Sequence, residues 1–81
     1  MGVFPNSGLQ PAERERVERL GGAIYTILIE EGMRSCPSWR VREAAGRRII
    51  VFGIFAIDAD VFAVISDEEL LAQLRKAFLH V

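Results

Sequence analysis

The stretch Arg47–Ile65, RRIIVFGIFAIDADVFAVI, constrains this chain more than any other. From Ile49 onward only Gly53, Asp58 and Asp60 are not apolar, and the stretch holds three of the five Phe and five of the eight Ile. β-Branched and aromatic residues dominate it, and Asp favours turns. The pattern therefore predicts two strands, Arg48–Ile57 and Val61–Ile65, joined by a turn at Asp58-Ala59-Asp60. Along one straight strand Ile49, Val51, Phe55 and Ile57 point one way, and Ile50, Phe52, Ile54 and Ala56 the other. Both faces would then be apolar, and both would need cover. A membrane span is not expected. It needs ~20 apolar residues, whereas Asp58 interrupts this run after nine, and intramembrane Asp is costly.

Upstream, residues 11 to about 31 read as a helix. Pro11 suits the first helical position, Glu13 and Glu15 suit the positive N-terminal end, and Gly32 suits the stop. Val17, Leu20, Ile24, Ile27 and Leu28 form a helical stripe, which Tyr25 and Ile29 widen to an arc of roughly 200°, well beyond an ordinary core-facing stripe. Gly21-Gly22 inside this helix is costly. It implies a kink or a closely approaching second backbone, and close packing is the expectation. Trp39–Glu43 alternates, with Trp39 and Val41 on one side and Arg40 and Arg42 on the other. This suits a charged edge strand, which Ala44-Ala45-Gly46 turns back into the long strand as a hairpin. Ser66 and Glu69 have capping-box spacing, flanked by Ile65 and Leu70 as a hydrophobic staple. They open a last helix whose apolar face is Leu70, Leu71, Leu74, Ala77 and Phe78. Residues 1–10 contain Gly, Pro, Asn and Ser and are expected to be a flexible arm, with 11–81 a single domain.

The fold class that follows is α+β: helix, three-stranded antiparallel meander, helix (αβββα), with the Arg48–Ile57 strand in the middle. A chain of 81 residues buries only ~60% of its unfolded surface, yet 51% of this one is hydrophobic. Such an excess suits an oligomer interface or a protein partner. The expected interface residues are Ile50, Phe52, Ile54, Phe62, Tyr25 and Ile29, and the expected assembly is an isologous homodimer. One cysteine, Cys36, permits no internal disulfide. Together with an N-terminus lacking a signal-peptide pattern, it gives a cytoplasmic expectation.

Net charge is −1, which argues against a whole-chain electrostatic grip on nucleic acid. The charge is uneven, however. Arg34, Arg40, Arg42, Arg47 and Arg48 with Glu43 give the middle a net +4, against −2 before it and −3 after it. Trp39, Arg40, Arg42, Arg47 and Arg48 cluster around one hairpin. That set is the candidate contact for an acidic protein surface or, as the alternative, for a nucleic-acid backbone with Trp39 stacking a base. Asp58 and Asp60 read as a solvated turn, without the further acids of a cation loop. No Ser/His/Asp, Cys/His or metal-ligand set is present, so no catalytic residue, metal or cofactor is expected. The expected function is a small non-enzymatic protein-interaction or assembly module acting through an apolar surface. In layout alone the chain is similar to small helix–hairpin–helix assembly proteins of bacteriophages. That likeness implies an accessory or inhibitor protein of a phage or mobile element.

Overall fold

The computed structural model describes residues 6–33 and 37–79. In chain order they form β1 (Asn6–Ser7), α1 (Pro11–Arg19), α2 (Gly21–Glu30), β2 (Trp39–Ala44), β3 (Arg47–Phe52), β4 (Phe55–Asp58), α3 (Ala59–Val64) and α4 (Asp67–Phe78). The antiparallel meander β2-β3-β4 lies among the helices as expected, with β3 in the middle, so the α+β, αβββα layout holds. The two-residue β1 adds to it in parallel, pairing Asn6 with Trp39 and Ser7 with Arg40. Of the N-terminal arm expected at 1–10, residues 1–5 lie outside the described ones, and so does Cys36. No helix among the described residues is long and apolar enough to cross a membrane.

The long apolar run does not stay straight to Ile57. It turns at Gly53-Ile54, where Gly53 has φ +61°, and Phe52 pairs with Phe55 across the turn. A two-residue loop resets side-chain parity. Ile50 and Phe52 on one arm and Phe55 and Ile57 on the other now share a face, where a straight strand would have split them. Together with Trp39 and Val41 they make the helix-facing side of the sheet. Trp39 stacks on its cross-strand neighbour Phe52 with ring centroids 4.3 Å apart, and Phe62 and Phe78 close edge-on against these two rings. Val17, Ile24, Ile27, Leu28, Leu70 and Leu74 complete the core from the helical layer, with Leu9 from the link that precedes α1.

Most of the expected strand Val61–Ile65 is instead helical, as far as Val64, and the third strand is Phe55–Asp58. Asp58 decides this. Its Oδ1 accepts the Asp60 N–H at 2.8 Å, capping α3, while its Oδ2 holds Arg47 at 2.6 Å. An Asp that bonds the second N–H ahead starts a helix as readily as it makes a turn. With hairpin pairing already complete at Ile49–Asp58, β propensity in Val61–Ile65 has no neighbouring strand to satisfy.

The first helical segment also differs from a single unbroken helix. It bends at Leu20, which has φ −90° and ψ 5°, although Leu20 N–H still reaches Arg16 O and Ile24 N–H still reaches Leu20 O. Close backbone approach is not the reason at Gly22, since a Cβ there would meet nothing within 4 Å. Gly32 ends α2 at φ +76°. Its N–H bonds Ile29 O at 3.1 Å and the Met33 N–H bonds Leu28 O at 2.9 Å, the two bonds of a Schellman stop. Ser66 caps α4 as its sequence predicts, its Oγ accepting the Glu69 N–H at 3.1 Å.

Candidate interaction face

Strand alternation sorts the hairpin residues into two sets. Register pairs Arg40 with Val51 and Val51 with Ala56; the next outward row is Arg42, Ile49 and Asp58. All six point away from the core-facing row of Trp39, Ile50, Phe52, Phe55 and Ile57. The solvent side of the sheet therefore carries three parallel stripes. Arg40 and Arg42 lie along β2, Val51 and Ile49 along β3, and Ala56 and Asp58 along β4. Arg40, Arg42 and Ala56 are exposed. Val51 is 8% exposed and stands outside the core cluster.

Two of the four guanidinium groups expected to form a basic patch are already neutralised. Arg47 pairs with Asp58 at 2.6 Å, and Arg48 makes a two-point pair with Glu13 on the first turn of α1. Arg48 belongs to the opposite side of the sheet from Arg47, so it does not join the patch at all. Its bond to Glu13, with the Gln10 N–H bonding the same carboxylate, holds Glu13 below the usual carboxylate range. Asp58 is lowered likewise, first by the Asp60 N–H and then by Arg47. Arg40 and Arg42 have no acidic partner within 4 Å among the described residues.

Trp39 does not belong to the contact set. It is 1% exposed, stacked against Phe52 on the inner face, and cannot offer its ring to a base. Ile50, Phe52 and Phe62, expected at an oligomer interface, are likewise core residues, at most 2% exposed. The turn at Gly53-Ile54 accounts for Ile50 and Phe52, and the helical turn of α3 accounts for Phe62. Tyr25, Ile29 and Ile54 do remain exposed. Tyr25 and Ile29 are one turn apart on α2, and Ile54 caps the β3–β4 turn.

Sequence reasoning missed Arg16. Its guanidinium donates to Phe62 O at 2.6 Å and to Ile65 O at 2.8 Å, lies 5.3 Å from the Phe62 ring centroid, and stands 3.3 Å from Asp67. One side chain of α1 thus holds both ends of the α3–α4 junction. Nothing in local sequence signals it, because its partners lie 46 to 51 positions away. Among the described residues no three His, Cys, Asp or Glu side chains are grouped to hold a metal ion. No protein-family model matches this chain, no curated protein matches it, and no solved structure matches it.

Proposed function

We propose that this chain is a small non-enzymatic interaction module whose working surface is the solvent side of its sheet. The observation that carries this reading is that Arg40 and Arg42, which have no acidic partner within 4 Å among the described residues, stand exposed on one strand beside half-buried Ile49. The helical layer packs on the other face, where the aromatic core lies. The test compares the proteins retained from the native host by the immobilised full chain, by Arg40→Glu/Arg42→Glu, and by a control with Arg14→Glu on the exposed side of α1. Proteins lost from the first variant and kept by the control support the reading. An identical set on all three chains overturns it.

The module is further proposed to work as a homodimer. Of the apolar residues expected at the interface, Tyr25 and Ile29 are the pair still exposed on one helix face, and they supply the self-contact. Light scattering on a sizing column at two salt concentrations should then give twice the chain mass of 9.1 kDa. Tyr25→Glu/Ile29→Lys should return the monomer. A wild-type monomer at both salt concentrations removes the dimer and leaves the sheet face to be judged by its own variants.

A further inference from the structure

We infer that the partner of the sheet face is an acidic polypeptide segment with carboxylates at alternate residues. This inference rests on the reading of the sheet face given above. Arg40 and Arg42 are two positions apart on one strand, so their stems rise about 6.6–6.8 Å apart on the same side. An extended polypeptide repeats its own side chains at that spacing, and carboxylates at i and i+2 meet both guanidinia at once. The planar fork of Arg suits a carboxylate at two points. Across the register, half-buried Ile49 stands beside Arg42 and gives apolar ground to the segment's side-chain stems, while Val51 beside Arg40 is already covered.

The same face is poorly made for nucleic acid. Its third guanidinium, Arg47, is taken by Asp58, which leaves Arg40 and Arg42 as the face's two free cations among the described residues, where counterion release needs more. The aromatic that would stack a base, Trp39, is buried on the other side. Asp58 itself adds a carboxylate to the face, and Glu43 belongs to the opposite side with Arg48.

The probe is a blocked peptide of alternating Glu and Thr, read by fluorescence anisotropy against the full chain at ~50 mM salt, where screening is weak. An oligodeoxythymidylate of equal charge runs in parallel. The peptide should bind, and Arg40→Ala/Arg42→Ala should weaken it about tenfold, the worth of two exposed ion pairs. Arg40→Lys/Arg42→Lys should fall between, since charge remains and the fork is lost. A peptide with the same residues in two blocks should bind more weakly than the alternating one. Tighter binding of the oligonucleotide, lost in the Arg→Ala variant, overturns the acidic segment and leaves the sheet face standing. Peptide binding that ignores Arg40 and Arg42 and fails with Arg14→Glu overturns both. No peptide binding by the wild-type chain overturns the inference alone.

Discussion

Arg48 and Glu13, 35 residues apart in sequence, close a two-point ion pair that ties the middle strand to the first turn of α1. Nη1 meets Oε2 at 2.9 Å and Nη2 meets Oε1 at 3.0 Å; Arg48 also donates to Gly8 O at 3.2 Å, and the Gln10 N–H donates to Glu13. Glu13 is the one charged residue counted as buried among those described, at 9% exposure. An Arg–carboxylate bond is charge-assisted, but Arg48 is 28% exposed and regains water when its partner is removed. Glu13→Ala should therefore lower the urea unfolding free energy by about 1 kcal/mol. Arg48→Lys should restore only part of what Arg48→Ala loses, since an ammonium cannot match both oxygens. A Glu13→Ala chain as stable as wild type would show that the pair is not formed in solution.

Acid should destabilise the fold through the same carboxylates. Glu13 is held low by Arg48, Asp58 by the Asp60 N–H and Arg47, and Asp67 by Arg19. Unfolded carboxylates titrate near pH 4. A group with a lower folded pKa contributes its stability above that pH and loses it as pH falls through the folded value. Melting temperature should therefore hold level from about pH 7 to 5 and drop below about pH 4. Glu13→Gln should lower the plateau and flatten part of the acid limb. A melting temperature that is level down to about pH 2 would contradict the three pairs together.

Legibility followed interaction range. The Ser66 cap, the Gly32 stop and the Ala45-Gly46 hairpin depend on neighbours within a few positions, and all three stand where their residues indicate. Alternation in Trp39–Glu43 placed Arg40 and Arg42 opposite Trp39, as found. The third strand lies at Phe55–Asp58 and not at Val61–Ile65, because a lone Gly inside an apolar run is a weak turn signal. Gly53 followed by Ile54 makes a two-residue turn, and a reading that runs the strand straight to Asp58 lacks the parity reset that moves Phe55 and Ile57 onto the core face. The site was less legible than the fold. Whether an Arg is free depends on which distant acid reaches it, and Asp58 and Glu13 reach Arg47 and Arg48 through the tertiary structure alone.

Arg16 should matter more than its place on a polar helix face suggests. It supplies donors to two carbonyls where α3 ends and α4 has not yet begun, and its cation faces the Phe62 ring. Arg16→Ala leaves Phe62 O and Ile65 O to water and should cost about 1–2 kcal/mol. Arg16→Lys should not recover both bonds, because they diverge from one planar group. Hydrogen exchange should quicken in α3 more than in β3. Uniform acceleration across both elements would assign the loss to global stability and not to this junction.

Substitutions at the two hairpin turns should separate backbone strain from crowding. At the β2–β3 turn both central residues have positive φ, Ala45 at +53° and Gly46 at +74°, the signature of a type I′ turn. Ala is poorly suited to that region and Asn tolerates it, so Ala45→Asn should stabilise the chain by about 0.5–1 kcal/mol. At the β3–β4 turn Gly53 has φ +61°, and a Cβ there would stand 3.3 Å from Phe78 and from Pro37. Gly53→Ala therefore combines an unfavourable backbone region with contact against a buried aromatic and should cost more than about 1 kcal/mol. Gly46→Ala meets nothing within 4 Å, so it isolates the backbone part of that cost. Thermal unfolding of the three variants separates the terms. Gly53→Ala no worse than Gly46→Ala would mean that Phe78 and Pro37 yield freely to the added methyl. The turn would then owe its place to pairing between Phe52 and Phe55 more than to the glycine.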